Sequence, residues 1–558
     1  MRGHQLGLNA LSLALLVNGP ALPALGGETV TAIRLRTIAP GPVARAIGDL
    51  FRRQVEARCP ARLVRDAGDG LTIEIRLDRR LKPESYRIAD GRNGAIRIIG
   101  ADDRGLLYGV GRFLRGSRYL ASGFQSSAWR GASAPEKPFR AIYFATHFHN
   151  YYHDAPVAEI ERYVEELGLW GYNAVIVWYD MHHFRGFDDP DAVRMRERLR
   201  AILRAAKRIG LRTGLTLLAN EGYADSPQEL RLTPPTQIEV RGMYGTELCP
   251  SKPGAMDFVL RSMGESFGAY RDIGPDYISI WPYDQGGCGC AQCRPWGCNG
   301  FLKAAKPIAE LARRMYPRVK IVLSTWLFDA REDEGEWAGL AKALADDPGW
   351  VDYVLADSHT TFPRYPIEHG VPGGLPLVNF PEISMWGMSP WGGYGANPLP
   401  VRFQGLWDSA KAKLSGGFPY SEGIYEDLNK AVYAGFYWRA DRRAEETIRE
   451  YAAYEFGPDT VEDVSAAVRI LEANHTRPAA DAGSLEALRH LNRAARTMTP
   501  QALAAWRWRI LYLRAVLDAE HYAGNGKRTE RAQAALQELV RIYHAERALD
   551  WVKPPVGE

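Results

Sequence analysis

The sequence carries very little excess charge. Its 558 residues include 70 Lys and Arg against 66 Asp and Glu, which leaves a formal net charge of +4. A nearly balanced surface gives no reason to expect nucleic acid or a membrane surface as a partner. The apolar stretch over residues 6–17 is too short to span a bilayer, and no later stretch is long enough. The composition therefore indicates a globular protein, with room for three domains.

The first residues nevertheless have a pattern of their own. Arg2 precedes the apolar stretch, and a run of small residues follows over residues 21–27. This order is typical of a secretory signal, with cleavage near Ala24 or Gly26. We therefore expect residues 1–27 to be a signal peptide and the protein to be periplasmic or secreted.

Cysteine is also scarce, but its distribution is uneven. The chain has six cysteines, and four of them fall within eleven residues: Cys288, Cys290, Cys293 and Cys298. Thiolates in such a group can hold a structural zinc, and Cys249 can join the group or substitute for one member. In an exported protein, disulfides compete with this interpretation. Either way we expect a structural role for the loop, and no cofactor for catalysis.

Residues 28–135 have the alternation of strand and helix patterns expected of a small α/β domain. The segment over residues 84–115, ESYRIADGRNGAIRIIGADDRGLLYGVGRFLR, resembles the N-terminal domain of the β-N-acetylhexosaminidases of glycoside hydrolase family 20. Family 67 α-glucuronidases carry a domain like it. In those enzymes the domain packs beside a catalytic (β/α)8 barrel. The resemblance thus implies a barrel further along the chain and a glycoside hydrolase activity.

The pattern after residue 138 fits that expectation. Short apolar runs alternate with amphipathic helical stretches, as in an eight-unit barrel. The predicted strands are 140–146, 174–179, 213–218, 277–281, 320–325, 351–356, 375–380 and 417–421. We predict an α/β fold with a (β/α)8 TIM barrel over 138–428. The small α/β domain precedes the barrel, and a helical domain over 429–558 follows it.

Active sites of such barrels lie at the C-terminal ends of the strands. The residues just after the predicted strands are rich in carboxylates, imidazoles and indoles, which bind sugar hydroxyls and stack on sugar rings. The predicted substrate-binding residues are His147, His149, Asn150, Asp180, His182, Glu221, Trp326, Asp357, Trp386, Trp391 and Tyr425.

Glycoside cleavage needs two carboxyl groups across the anomeric carbon. Many retaining barrel glycosidases place the acid/base after strand four and the nucleophile after strand seven, which here selects Asp284 and Glu382. Glu422, after strand eight, is the third candidate. Family 20 uses an adjacent Asp-Glu pair after strand four. This sequence departs from that pattern because Gln285 follows Asp284.

Three functions remain open on the sequence alone. The first is an exo-acting glycoside hydrolase that removes a terminal sugar or uronic acid from an oligo- or polysaccharide. The second is a carbohydrate-binding barrel without turnover, since barrels host many functions. The third is a metal-dependent hydrolase or lyase that uses the strand-end histidines, although no HExxH spacing occurs. The sugar, the linkage and the stereochemical course stay open.

Overall fold

The computed structural model describes residues 27–39, 41–65, 70–147, 149–233, 245–282, 287–329, 335–384 and 396–546. The predicted signal segment lies outside these ranges, apart from Gly27. The predicted site residues Asp284, Trp386 and Trp391 lie outside them as well. Within the described ranges, every helix is too short or too polar to cross a bilayer.

The first part of the chain forms a six-stranded mixed sheet in the order β2-β1-β3-β5-β4-β8. A separate hairpin is made of β6 and β7. The strands are β1 (Ala32–Thr37), β2 (Arg62–Leu63), β3 (Leu71–Leu77), β4 (Tyr86–Asp90), β5 (Ile96–Gly100), β6 (Arg118–Leu120), β7 (Gly123–Gln125) and β8 (Gly131–Ser133). Helices α1 (Pro42–Arg58) and α2 (Asp103–Arg115) accompany them. Asp102 caps α2 by accepting a hydrogen bond from the backbone N–H of Gly105.

The predicted (β/α)8 barrel is confirmed. Its strands are β9 (Phe139–Phe144), β10 (Ala174–Trp178), β11 (Arg212–Leu218), β12 (Tyr277–Trp281), β13 (Lys320–Ser324), β14 (Tyr353–Asp357), β15 (Leu377–Phe380), β16 (Leu414–Gly417) and β17 (Tyr420–Ser421). All neighbours are parallel, and β9 closes the barrel by pairing with β10 on one side and with β16 and β17 on the other. The eighth strand is thus two short pieces, because Pro419 between them has no N–H for the ladder.

Strand β12 shows why these segments form a barrel. All five of its residues are buried, as expected when a parallel strand is covered on both faces. Tyr277 and Trp281 belong to the cluster inside the barrel, together with Phe139 and Phe380. Ile278 and Ile280 belong instead to the core outside it, where the helices pack. Because successive side chains of a strand point to opposite faces, alternate residues of β12 pack inside the barrel and against the helices outside it.

The barrel helices follow the strands in sequence. They are α3 (Tyr151–Asp154), α4 (Val157–Trp170), α5 (Pro190–Arg208), α6 (Ala255–Ala269), α7 (Phe301–Met315), α8 (Glu336–Asp346), α9 (Arg364–Glu368), α10 (Pro400–Ala410) and α11 (Asp427–Trp438). Further helices complete the chain: α12 (Ala444–Glu455), α13 (Val461–Asn474), α14 (Leu485–Ala494), α15 (Pro500–Ala504), α16 (Trp506–Ala523) and α17 (Glu530–Ile542). The helical C-terminal region predicted from the sequence is confirmed. The exact domain boundaries stay a prediction.

A buried ionic cluster joins the small sheet to the barrel. Glu84, just before β4, accepts from Arg140 of β9 at 2.6 Å, from Arg104 of α2 at 2.8 Å and from Arg212 of β11 at 3.0 Å. Arg140 is fully buried. Burial alone would raise the pKa of Glu84, but the charges of the three surrounding guanidinium groups lower it to about 2. The carboxylate therefore stays ionised wherever the protein is folded near neutral pH.

We expect Glu84→Gln to destabilise the fold by about 3–5 kcal/mol, because it leaves buried guanidinium groups without their counter-charge. The pKa of Glu84 is depressed on folding, so its contribution is present above about pH 4.5 and is lost as the pH falls towards 2. Urea unfolding at about pH 7 and about pH 3 measures the difference between the two proteins.

The difference in free energy of unfolding between wild type and Glu84→Gln should be smaller at the lower pH. Asp78→Asn is the matched control, because Asp78 pairs with a largely exposed arginine, Arg80. That variant should unfold like wild type. An equal loss in both variants would contradict a special role for Glu84.

Candidate active site at the C-terminal end of the barrel

Aromatic side chains close the barrel interior beneath its C-terminal end. Trp178 and Trp281, the last residues of β10 and β12, have ring centroids 6.0 Å apart. Trp281 also packs edge-on against Phe380 of β15 at 4.8 Å. Trp326 lies 6.0 Å from Trp281 and is only partly buried. These rings form an apolar floor below the polar residues that follow the strands. Trp178, Trp281 and Phe380 are buried, so the partly exposed Trp326 offers the surface on which a sugar ring can stack.

His147 lies directly on this floor. Its ring centroid is 4.6 Å from that of Trp178, and its Nδ1 is 2.8 Å from the hydroxyl of Tyr143. Burial and, to a smaller extent, the charges of the nearby histidines lower the pKa of His147 to about 3. His147 is therefore a neutral imidazole that can donate or accept one hydrogen bond, not a cation.

A second group joins the ends of β10 and β11. His182 Nδ1 lies 2.6 Å from Asp180 and 3.0 Å from Glu221, and Asp180 also reaches His183 Nε2 at 3.0 Å. Burial raises the pKa of Asp180 well above its usual value, against the hydrogen bond from His182, which lowers it. Burial would lower the pKa of His182, but its bonds to the two carboxyls raise it. The imidazole thus holds a proton between two acids.

The third group joins the ends of β15 and β17. Glu382 forms a parallel bridge with Tyr420, and its Oε1 accepts from the backbone N–H of Ser384 at 2.6 Å. Ser384 in turn accepts from the backbone N–H of Glu422 through its Oγ at 3.2 Å. The hydroxyls of Tyr420 and Tyr425 donate to the two oxygens of Glu422 at 2.9 and 2.8 Å. Glu382 and Glu422 are therefore held by one continuous network.

Burial raises the pKa of two of the carboxyl groups at this end, so they are weaker acids than usual. It raises the pKa of Glu422 to about 7, although the bonds from Tyr425 and Tyr420 lower it. It also raises the pKa of Asp357, at the end of β14, to about 7, against the backbone N–H groups of His359 and Ser358. His359 Nδ1 lies 3.9 Å from Glu382 Oε2. Carboxyls that exchange protons near neutral pH are typical of sites that perform acid–base chemistry.

The structure brings most predicted site residues to this end, but two have other tasks. Asn150 caps α3 by accepting from the N–H of Tyr152, and its amide donates to the carbonyl of Ala145. His149 pairs with Asp154 at 2.7 Å. Both are therefore better explained as supports of the first loop than as sugar ligands. Tyr425 reaches Glu422, as described above, so it positions an acid.

Sequence inspection missed several residues that matter here. Tyr143 and Tyr420 hold His147 and Glu422 through their hydroxyls, and Trp178 and Trp281 supply the floor. The alternation of inward and outward positions along each strand was the available signal. A systematic count from each strand end would have placed these four side chains inside the barrel.

The four-cysteine group also differs from the predicted one. The sulfurs of Cys249, Cys288, Cys290 and Cys293 lie within 4.8 Å of one another. Cys298 is not among them, because its sulfur packs against Gly339 of α8, 2.5 Å from where a Cβ of that residue would lie. Cys249, from the loop after β11, takes the place of Cys298, which is the substitution that the sequence left open.

A cleft of about 350 Å³ between α2, the loop after α4 and α11–α12 is a competing location. Six arginines line it. Three of them, Arg112, Arg115 and Arg442, bind Glu450 at 3.1, 3.0 and 2.5 Å. Arg439 and Arg449 pair with Glu446 and Glu462 at 2.7 and 2.5 Å, so five of the six are already ion-paired within the protein. We therefore regard this cleft as a joint between parts of the chain, and the barrel mouth as the candidate functional site.

The geometry defines the protein as a (β/α)8 barrel with an acid-rich, aromatic-floored mouth. No protein-family model matches the chain, and no curated protein matches it by sequence. Solved structures of similar fold are nonetheless found, and they are glycoside hydrolases.

A family GH115 4-O-methyl-α-glucuronidase with specificity for decorated arabinogalactans has a TM-score of 0.61 and 11% identity, covering 95% of this chain and 78% of its own. A GH138 enzyme targeting pectin rhamnogalacturonan II has a TM-score of 0.58 and 11% identity, and the match covers 93% of this chain and 71% of that enzyme. The GH20 β-N-acetylhexosaminidase of Streptomyces coelicolor A3(2) has a TM-score of 0.52 and 16% identity, covering 78% and 94%. At these identities the likeness establishes the shared fold, and the exact family stays unresolved.

We expect Glu422→Gln to change stability in a pH-dependent way. The pKa of Glu422 is raised on folding from 4.5 to about 7, so its stabilising contribution is complete below about pH 4.5 and is lost as the pH rises through 7. Glutamine keeps the shape without the charge. The variant should therefore melt like wild type at about pH 5 and at a higher temperature at about pH 8.

Thermal denaturation at the two pH values tests this expectation. Glu368→Gln is the control, since Glu368 lies on the surface beside Arg364. The melting temperature of Glu368→Gln should differ little from that of wild type at either pH. A difference between Glu422→Gln and wild type that is the same at both pH values would show that Glu422 is not an acid of raised pKa.

Proposed function

We propose that this protein is a glycoside hydrolase that cleaves a terminal sugar or uronic acid from an oligo- or polysaccharide with two carboxyl groups. The observation that carries the proposal is the convergence of buried acids on an aromatic floor at one end of the barrel. Glu382 and Glu422 share one hydrogen-bond network there, and Asp357 lies on the neighbouring strand. Its fold likeness to three families of glycoside hydrolases supports the same class.

The chemistry requires one protonated and one ionised carboxyl. The acid donates its proton to the glycosidic oxygen as the bond between that oxygen and the anomeric carbon breaks. The carboxylate either attacks the anomeric carbon or removes a proton from a water that does so. We assign the acid/base to Asp284, from its position after β12, and the second role to Glu382.

Contacts around Glu382 support its role. Its Oε1 is oriented by the backbone of Ser384, and its other oxygen faces the ring of His359. Burial lowers the pKa of His359 to about 4, so a neutral imidazole faces the carboxylate. Glu422 has both oxygens occupied by tyrosine hydroxyls and is fully covered. We therefore assign Glu422 to holding Tyr420 and Tyr425 in place, with the second catalytic role as its alternative.

The remaining polar residues suit the binding of hydroxyl groups. We propose that His147, His182 and Trp326 contact the sugar, because His147 and Trp326 pack against the aromatic floor and His182 follows β10 at the same end of the barrel. The solved structures that resemble this chain include a glucuronidase and a pectin-targeting enzyme. On that basis we propose the side chains of plant polysaccharides as the substrate class. A polymeric substrate also agrees with the proposed periplasmic or secreted location.

One observation favours a second candidate function. Asp180, His182 and His183 place one possible ligand atom each within 4.8 Å of the others, as a metal-dependent hydrolase or lyase would need. Against it, His182 Nδ1 already lies within hydrogen-bond distance of two carboxyls. A metal there would have to bind the remaining nitrogen. Loss of activity on treatment with a chelator, restored by a divalent metal, would support this alternative.

Activity on a panel of aryl glycosides and aryl uronides tests the main proposal. We expect Glu382→Gln to lose at least about a hundredfold in kcat on every substrate that wild type cleaves, as is typical when a catalytic carboxyl is removed. Asp284→Asn should lose a similar factor on poor leaving groups but less on good ones, which need little protonation. Steady-state kinetics of purified variants provide the comparison.

Glu368→Gln should keep the wild-type rate, because its carboxylate lies on the surface. If Glu382→Gln stays active while Glu422→Gln is inactive, the second catalytic role belongs to Glu422. Wild-type rates in all three strand-end variants on a true substrate would exclude the two-carboxylate mechanism. Binding without turnover by the wild-type protein would favour the carbohydrate-binding alternative.

A further inference from the structure

Two loops beside the barrel mouth meet at four cysteine sulfurs. Cys249 lies in the connection between β11 and α6, and Cys288, Cys290 and Cys293 lie in the connection between β12 and α7. Cys249, Cys288 and Cys293 are buried, and Cys290 is partly buried. Cys249 lies 39 or more positions before the other three along the chain, so their approach is a property of the fold.

The distances between the sulfurs fit a tetrahedral metal site. Zinc lies about 2.3 Å from a thiolate sulfur, which places two sulfurs of a regular tetrahedron about 3.8 Å apart. Cys249 Sγ lies 3.8 Å from Cys290 Sγ and 3.7 Å from Cys293 Sγ. All four sulfurs fall within 4.8 Å of one another. A single ion can therefore contact all four without a large movement of either loop.

The same distances do not favour disulfides. A disulfide needs one sulfur pair at about 2.05 Å and a clear partner for each cysteine. Cys249 Sγ is almost equally far from the sulfurs of Cys290 and Cys293, and it forms a disulfide with neither. The four thiols thus form one group rather than two pairs.

The backbone around the sulfurs is shaped as a metal-binding turn. In the Cys290-x2-Cys293 segment, the N–H groups of Cys293 and Arg294 both donate to the carbonyl of Cys290, at 3.0 and 3.2 Å. Backbone groups of Ser251 and Thr233 make hydrogen bonds to the sulfurs of Cys249 and Cys288, respectively. Such contacts orient thiolate ligands and stabilise their charge.

We propose that Cys249, Cys288, Cys290 and Cys293 bind one structural zinc ion. Four thiolates satisfy its coordination completely, so the ion takes no part in catalysis. It connects the loop after β11 to the loop after β12. Asn220 makes a second connection between the same loops, since its side chain donates to the carbonyls of Leu248 and Gly287 at 2.8 and 2.9 Å.

The metal content of the purified wild-type protein is the first test. We expect about one zinc per chain by elemental analysis. Addition of a mercurial that binds thiols should release that zinc to a colorimetric dye. Protein expressed with ample zinc that holds none, or that holds iron instead, would overturn the assignment.

Matched cysteine variants provide the second test. Cys249→Ser and Cys293→Ser should lose most of the zinc and melt several degrees lower. Cys298→Ser should keep one zinc per chain, because Cys298 lies in the same loop but packs against Gly339. Loss of zinc in Cys298→Ser with retention in Cys249→Ser would overturn the ligand set. If Cys249→Ser does not fold, the release assay on wild type and Cys298→Ser decides the matter.

Cobalt substitution gives a readout that does not depend on stability or activity. Cobalt(II) bound by four thiolates shows the intense visible bands of a tetrahedral site, and we expect them in wild type and Cys298→Ser. Metal that is lost in His183→Ala and retained in Cys249→Ser would place the ion at Asp180, His182 and His183 and overturn the proposal.

Discussion

Arg140 is the residue on which the arrangement of the chain depends. Its guanidinium binds Glu84 of the small α/β region. It also donates to the carbonyl of Lys137, just before the first barrel strand, and to the carbonyl of Gly171, just after α4. It also lies over the rings of Tyr108 and Trp438, at 5.3 and 5.7 Å, so it contacts α2 and α11 together. A fully buried charge is costly unless every donor is matched. That requirement fixes the small sheet and the helices against one end of the barrel.

The pKa values of buried acids are shifted in opposite directions at the two ends of the barrel. Near the N-terminal end of the strands, Glu84 is surrounded by guanidinium groups, and its pKa falls to about 2. At the C-terminal end, Glu422 has tyrosine hydroxyls as its partners instead, and burial raises its pKa to about 7. The first environment stabilises the fold, and the second keeps an acid uncharged at a cost in stability near neutral pH. This division agrees with the usual separation of stability and chemistry in such barrels.

Much of this architecture was predictable because it rests on local patterns. Strand β12 was predicted with its observed bounds, since a five-residue apolar run before a Gly-rich loop permits few alternatives. The break in the last strand was not predicted, although Pro419 was visible in the sequence. The contacts of Glu84 with Arg140 and Arg212 join residues 56 and 128 positions apart, and no local pattern encodes them. The same limit applies to the site, where Tyr420 and Tyr425 act on Glu422 through their hydroxyls.

The cysteine group shows how proximity in sequence misleads when loops meet in space. Cys298 is closer in sequence to Cys293 than Cys249 is, yet the helical turn that begins at Trp296 carries it away towards α8. Cys249 arrives from the neighbouring strand because parallel strands β11 and β12 end at the same edge, so their loops are adjacent. The proposed zinc would cross-link the two loops where they leave the barrel, so its binding would add to the stability of the fold. In the function proposed above, the closed thiolate site is part of the scaffold of the mouth, and the chemistry is assigned to the carboxyls beside it.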